Sequence, residues 1–371
     1  MTTIGRCCLL AVATLFVTSL SIPAMAAPEI TGRIHLDYAF HDEGNSELAD
    51  GHRLRRARLD AFGSIDADWS YVSAIDFAEN EVAFQDLYLR YSGLERGVVT
   101  LGSFKVPFGM DRLTSSNHLT FIERSLINDF TQGRRVGAGY GHATGSLGFA
   151  GMVFGESLGS HQDRVDTGTD ESFGLGARIY TTPLRSEAAT LHFGAAVTTE
   201  QPLDRDNNTA RFRTRPESRV TGVRLVDTGL IENADRINQF GLEAAYLAGP
   251  LALQGEYMNA RAKGESGFDS HAFDGYYAQA SYVFGGSQRS YRAGVFRNPA
   301  PGSWELALRY SSINLNDGDV LGGEQDNITL GLNWYAARNV RFMWNYIRVN
   351  SERQGISDDP AIFLMRAQVS Y

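Results

Sequence analysis

The chain has almost no cysteine, almost no lysine and, past its first 26 residues, no long apolar run. Arg6 gives a charged start, residues 7–20 are largely apolar, and Ala24-Met25-Ala26 is a small-x-small cleavage pattern. These features predict a secretory signal over 1–26, cut before Ala27. Cys7 and Cys8 both fall inside it, so the 345 residues that follow (371 minus 26) carry no thiol. An exported chain without thiols excludes a disulfide scaffold and zinc–thiolate sites. No stretch of 18 apolar residues follows, which excludes a transmembrane helix, although an exported chain can still cross a bilayer as a closed barrel. Removing Arg6 takes the net charge from -9 to -10, and nothing in that balance points to nucleic acid. Of 34 basic residues only Lys105 and Lys263 are lysine.

What is present is a period of two. Trp304, Leu306, Leu308 and Tyr310 alternate with Glu305, Ala307, Arg309 and Ser311. Val340, Phe342, Trp344 and Tyr346 alternate with Arg341, Met343 and Asn345; Ile34, Leu36, Tyr38 and Phe40 alternate with Arg33, His35, Asp37 and Ala39. One apolar face, one polar face and aromatics towards the strand ends are the pattern of a transmembrane β-barrel. Sixteen segments follow it: 30–41, 52–65, 68–79, 83–93, 97–104, 134–143, 146–155, 171–182, 189–200, 238–248, 250–262, 273–284, 302–315, 325–336, 338–350 and 361–371. The predicted fold is an all-β, sixteen-stranded antiparallel barrel occupying 27–371 as one domain. Long and short connections alternate, the third and fifth long ones holding 29 and 37 residues (105–133 and 201–237). The exception is 285–301, long where a short turn belongs, with Arg289, Arg292 and Arg297 and no acid. The chain ends on Tyr371, a terminal aromatic common in outer-membrane barrels.

Inside the fifth long connection Arg211, Arg213 and Arg215 recur at a spacing of two, and Arg219 and Arg224 extend the run. In an extended segment the first three share one face, roughly 7 Å apart at about 3.3 Å per residue. Guanidinium groups stay charged and grip phosphate oxygens through two parallel hydrogen bonds. Such a row is either a ladder for anions or a solvated basic loop. Glu217 is its one acid over 211–224. Parity turns Arg58 and Arg56 inward, because Ala57, Leu59 and Ala61 take the lipid side. Arg55 has the opposite parity, so it sits at the strand's outer end or past a bulge. Lys105 stands where a strand passes into the third long loop. Asp86 points inward between Leu87, Leu89 and Tyr91 on the other face, either as a partner for lumen arginines or to weaken the deepest site.

Other chemistry is thin. Gly155-Glu156-Ser157-Leu158-Gly159 matches a hydrolase elbow, but a polar loop follows where a helix is required. The eight histidines show no metal-ligand spacing. Neither a cofactor nor a catalytic residue is expected.

Several stretches resemble the phosphate-selective porins O and P, in order and over nearly the whole exported length. They are Gly32-Arg33-Ile34 before Asp37-Tyr38, Leu54-Arg55-Arg56-Ala57-Arg58-Leu59, and Phe108-Gly109-Met110-Asp111-Arg112-Leu113-Thr114-Ser115-Ser116 with Glu123-Arg124. Later come Gly275-Tyr276-Tyr277, Ser303-Trp304-Glu305-Leu306 and Gly331-Leu332-Asn333-Trp334. The resemblance implies a trimeric outer-membrane porin of a Gram-negative bacterium, with the third and fifth loops and one periplasmic turn folded into the lumen. It implies inorganic phosphate or other small anions as solutes, contact with outer-membrane lipid, and delivery by the barrel assembly machinery through Tyr371.

The family's arginine ladder maps onto Arg211, Arg213, Arg215 and Arg219, with Arg33, Arg55, Arg56 and Arg124 as further cations and Asp86 as the constriction acid. Arg112 stands where the family has a lysine. Arg58 and Lys105 stand where members can present aromatic rings, and the inward turn has Arg289, Arg292 and Arg297 in place of lysines. These departures keep anion preference and weaken the case for strict orthophosphate selectivity. A general-diffusion or organic-anion porin on the same barrel is the alternative; an outer-membrane barrel enzyme or an adhesive barrel is a more distant one.

Overall fold

The structure, a computed structural model, describes residues 27–42, 44–160, 168, 170–202 and 208–371. The signal expected over 1–26 lies outside the described residues. Sixteen strands make the wall: β1 (Glu29–Asp42), β2 (Gly51–Ser64), β3 (Trp69–Asp76), β4 (Ala83–Tyr91), β5 (Val98–Lys105), β6 (Arg134–Thr144), β7 (Leu147–Phe154) and β8 (Gly174–Arg185). The second half is β9 (Ala189–Glu200), β10 (Ala234–Ala248), β11 (Leu251–Gly264), β12 (His271–Phe284), β13 (Trp304–Asp317), β14 (Val320–Ala337), β15 (Val340–Arg353) and β16 (Ala361–Ser370). Each pairs antiparallel with its neighbours in the chain, and β1 closes the sheet on β16, from Arg33 opposite Ser370 to Asp42 opposite Ala361. Closure leaves no strand edge, so the backbone can cross hydrocarbon with its hydrogen bonds made.

The period of two becomes the two faces of this wall. On β13, Leu306, Leu308 and Tyr310 are 44%, 53% and 37% exposed, whereas Glu305, Arg309 and Ser311 between them are at most 2% exposed. The exposed set faces lipid; an arginine there would cost about 2–4 kcal/mol at the midplane. Trp304 stacks on Trp334 at 5.5 Å and on Trp344 at 6.3 Å, forming part of an aromatic girdle near the strand ends. One irregularity matters for the lumen. Opposite β1, Leu36 pairs with Leu54 and His35 with Arg56, which leaves Arg55 as an extra residue. This bulge, one of the two positions open for Arg55, lets both it and Arg56 face inward.

One connection differs from the sequence reading. β13 and β14 are joined by residues 318–319 alone, with Gly318 at φ 60 supplying the left-handed turn residue, so the expected gap of nine there is a tight hairpin. Residues 285–303 form a small hairpin of their own, Ser290–Arg292 paired with Val295–Arg297.

The third long loop, 106–133, lies inside the barrel, where Phe108, Met110, Phe121, Ile122, Leu126, Ile127 and Phe130 are all at most 2% exposed. An irregular segment can be buried only if its backbone finds partners. Wall side chains provide them: Arg341 donates to the carbonyl of Leu119 at 2.7 Å, Asn333 to Thr120 at 2.9 Å, Arg366 to Ile122 at 2.6 Å and Arg309 to Glu123 at 3.1 Å. On the other side Glu256 accepts from the amides of Met110 and Asp111 at 2.8 and 2.7 Å and from the Tyr277 hydroxyl at 2.6 Å. Close packing also needs Gly275, where a Cβ would stand 2.6 Å from the Cγ2 of Ile127.

The fifth long loop is drawn inward by the one acid of its arginine run. Glu217, 4% exposed, accepts from Arg309 and Ser311 at 2.5 Å each and from Thr329 at 3.0 Å. Phe212 adds an edge contact to Phe130 at 5.8 Å and packs on Phe273 at 5.3 Å.

Candidate functional site

Where the third and fifth loops meet the wall of β1–β6, they enclose a cavity of about 300 Å³. Its lining holds ten cations (Arg33, Arg55, Arg56, Arg58, Lys105, Arg112, Arg124, Arg134, Arg215 and Arg219) against four acids (Asp86, Glu123, Asp129 and Glu217), a surplus of six. A chain of net charge -9 therefore concentrates positive charge at one place in its lumen.

The cations divide by whether a carboxylate holds them. Arg33 pairs with Asp60 at 2.5 Å, Arg55 with Glu123 at 2.7 Å, Arg58 with Asp76 at 2.6 Å and Arg134 with Asp86 at 2.7 Å. Arg219 reaches Asp129 at 3.5 Å. The other five, Arg56, Lys105, Arg112, Arg124 and Arg215, have no carboxylate within ion-pair distance among the described residues. Lys105 directs its ammonium at the carbonyls of Arg112, Leu113 and Thr114 at 2.9, 3.2 and 3.3 Å, using its three donors to cap the 110–113 turn. Arg124 grips the same turn through the carbonyls of Asp111 at 2.8 Å and Thr114 at 2.7 Å. Arg112 gives only its Nε, to the carbonyl of Gln132 at 3.0 Å, which leaves its terminal nitrogens for a ligand. Arg56, 3% exposed, has just a 3.3 Å contact to His35.

Unmet charge shows in the loop guanidiniums. Burial, with Arg124 and Arg134 nearby, pushes Arg112 down to about 9. Burial, Arg219 and Arg224 push Arg215 down to about 10. Both are cationic at neutral pH, and a bound anion would relieve the repulsion that each feels. Glu123 shows the converse. Burial alone would raise it, but Arg55, Arg366 and Arg56 hold its carboxyl well below the usual range.

Of the residues singled out from sequence, Arg33, Arg55, Arg56, Arg58, Arg112, Arg124, Lys105, Asp86, Arg215 and Arg219 line this cavity. The rest of the ladder does not reach it. Arg211 and Arg213 do lie on the exposed side of the loop, alternating with buried Phe212 and Thr214, but Arg211 is paired with Asp227 at 2.5 Å. Asp86 is a partner of Arg134 through both carboxylate oxygens, at 2.9 and 2.7 Å.

The turn 285–303 enters the barrel and packs beneath the third loop, with Asn298 donating to the carbonyl of Asn117 at 2.8 Å and Phe296 buried beside Met110. Its Arg289 corrects the expectation of a pore cation: it is 1% exposed, bidentate to Glu305 at 2.6 and 2.8 Å, and donates to the carbonyl of His118 at 3.0 Å. Arg292 is exposed and Arg297 half-buried, both outside the cavity.

Sequence reasoning missed Arg134. It is adjacent to Arg135 at a strand start, and its inward position opposite Lys105 follows from the register of β5 on β6. After Gly155-Glu156-Ser157 the described residues give the three-residue turn Leu158–Ser160; residues 161–167, where the elbow's helix would have to run, lie outside the described residues.

The profile of the family described as phosphate-selective porin O and P matches residues 29–371. An uncharacterized protein of Caulobacter vibrioides is 28% identical over 85% of this chain and 67% of its own. Porin O of Pseudomonas aeruginosa is 25% identical over 92% of this chain and 87% of its own. Among solved structures, an anion-selective porin from Comamonas acidovorans superposes with a TM-score of 0.59 at 12% identity, covering 93% of this chain and 99% of its own. OmpT of Vibrio cholerae in its trimer form gives 0.58 at 12% identity, over 93% and 99%. The chain belongs to the phosphate-selective porin O and P family and is a β-barrel porin of the Gram-negative outer membrane.

Proposed function

We propose that this porin passes small inorganic anions by passive diffusion, phosphate foremost, and that the cavity between its third and fifth loops is the selective step. The observation that carries the reading is the group of five cations without a carboxylate partner, set in one lumen cavity. Confined between low-dielectric walls, their field raises the local anion concentration despite the negative net charge. Arg112 offers a fork that can hold two oxygens of one phosphate; Arg56 and Arg215 offer single contacts around the same space. Closely spaced sites hand an anion on without trapping it. Asp86 and Glu123, each bound by an arginine, temper the field. No energy source or catalytic group is needed, and the family and fold are those of a channel.

The working unit in this proposal is a homotrimer in outer-membrane lipid. β3, β4 and β5 have only 8, 9 and 8 residues. At about 3.3 Å per residue and a tilt near 40° they span roughly 20 Å, less than the apolar band of about 25 Å. A neighbouring copy would cover that side, where Phe77, Val82 and Phe84 are 46%, 67% and 53% exposed. The trimer form of a structural neighbour supports this arrangement. Tyr371, 56% exposed, is available to the barrel assembly machinery.

The test is a planar bilayer with a chloride gradient. The reversal potential should lie near the chloride equilibrium potential, and added phosphate should reduce chloride conductance to a saturating limit. A cation-selective reversal potential, or conductance that phosphate leaves untouched, contradicts the proposal.

A further inference from the structure

Below the cation cavity lies a second chamber of about 400 Å³, between β4–β8, the start of the third loop and Ala293 of the inward turn, with Tyr140 and Phe149 of the wall's outer face also touching it. Lys105 and Leu113 line both spaces, so the two are consecutive along the lumen. Their chemistry differs. Phe104, Pro107, Leu113 and Tyr180 give the lower chamber an apolar, partly aromatic lining. Among the described residues its charged ones are Arg90, Lys105 and Arg178, and none is an aspartate or glutamate.

These cations are not equivalent. Lys105 has its donors on loop carbonyls, and Arg178 is tied to Glu243 at 2.8 Å and to the carbonyl of Gly294 at 3.0 Å. Arg90 has no ion-pair or hydrogen-bond partner among the described residues. Its guanidinium sits 5.4 Å from the ring centre of Tyr88, which meets Phe104 edge-on at 6.0 Å. A cation above an aromatic wall, with apolar surface beside it and no competing carboxylate, complements an anion with a planar apolar body. Orthophosphate, hydrated on every side, gains nothing from such a wall.

We propose that this chamber binds small organic anions bearing an aromatic ring, such as aryl phosphonates, with Arg90 on the anionic head and Phe104, Leu113 and Tyr180 around the ring. The proposal rests on the reading of the barrel as an anion pore and adds a second class of solute to it. Single-channel block of chloride current by phenylphosphonate and by methylphosphonate, which share one head group, separates the two claims. Wild type should bind the phenyl compound more tightly by roughly fivefold to tenfold. Phe104→Ala should abolish that ratio while block by inorganic phosphate is unchanged, since Phe104 does not line the upper cavity. Phe104→Leu, which keeps apolar volume without the ring, should leave an intermediate ratio and guards against misfolding of the alanine variant. Arg90→Ala should weaken both phosphonates. Equal block by the two phosphonates in wild type, with phosphate block intact, overturns the chamber and leaves the phosphate pore standing. Loss of all three blocks in wild type overturns the pore reading itself.

Discussion

The loop cavity and the inward turn are both rich in arginine, and they use it in opposite ways. In the turn, Arg289 is closed off by a bidentate pair with Glu305, with Tyr335 and the carbonyl of His118 completing its shell. In the cavity, Arg56, Arg112, Arg124 and Arg215 sit with carbonyls, an imidazole or other arginines, and among the described residues no carboxylate pairs with them. A buried pair fixes structure, because removing one partner strands the other's charge. A surplus of cations in a water-accessible cavity is a place for a mobile anion. The available charge of a lumen is thus its count of arginines less those already matched, and only coordinates supply the second number.

The largest effect should come from breaking the matched region. Arg289→Ala leaves fully buried Glu305 with only Arg341, at 4.0 Å, as a neighbouring cation and should destabilise the barrel by about 3 kcal/mol. It should unfold at visibly lower temperature in detergent while folded channels keep their anion preference. A selectivity loss as large as that of the cavity variants would erase the distinction between the two regions.

Next comes the surplus region. Combined Arg56→Ala, Arg112→Ala and Arg215→Ala should lower the chloride-to-potassium permeability ratio by about tenfold, with a smaller loss of heat stability than Arg289→Ala. Reversal potentials decide this. Glu217→Gln should act more mildly and through position. The three donors on Glu217 lose part of their acceptor, the fifth loop loosens, and Arg215 and Arg219 leave the cavity. Phosphate block should weaken by roughly threefold, consistent with about 0.6 kcal/mol. An unchanged block would mean that Phe212 and its ring contacts hold the loop unaided.

The smallest expected effect is that of mild acid. Glu123 has a depressed folded value, so the stability it contributes is complete above its unfolded value of about 4.3 and is lost only as pH falls through the lower folded value. The difference in heat stability between wild type and Glu123→Gln should therefore be flat from about pH 7 to pH 5. A drop within that window would show that the arginines around Glu123 do not hold its proton off.

Much of the architecture was legible in the sequence, because a barrel wall writes its two faces as a period of two and a wrong face is costly in lipid. All sixteen strands, the third and fifth long loops and the exceptional turn can be read that way. The β13–β14 hairpin was not, since Asp317 and Asp319 beside Gly318 look like a loop until strand pairing extends past them. The site was half legible. Arg56 and Arg58 declare their side by parity; Arg55 needs a bulge that only register reveals. Spacing alone overstates the ladder for a physical reason: Arg211 and Asp227 are 16 residues apart in sequence yet hydrogen-bonded across a ribbon, a pairing that spacing does not announce. Glu217 looked like a lone dilution of positive charge and is instead the anchor that seats Arg215 and Arg219.

The central claim, that unmatched and not merely clustered arginines make the anion site, is tested most directly by one pair of variants. Phosphate block of chloride current should be compared in Arg112→Ala and Arg211→Ala, both single charge losses in inward-facing or run-forming positions. The account predicts about tenfold weaker block for Arg112→Ala, in line with loss of a charge-assisted contact. For Arg211→Ala it predicts a change within about twofold, as for an exposed pair. Equal losses in the two, or a larger loss at Arg211, would contradict it.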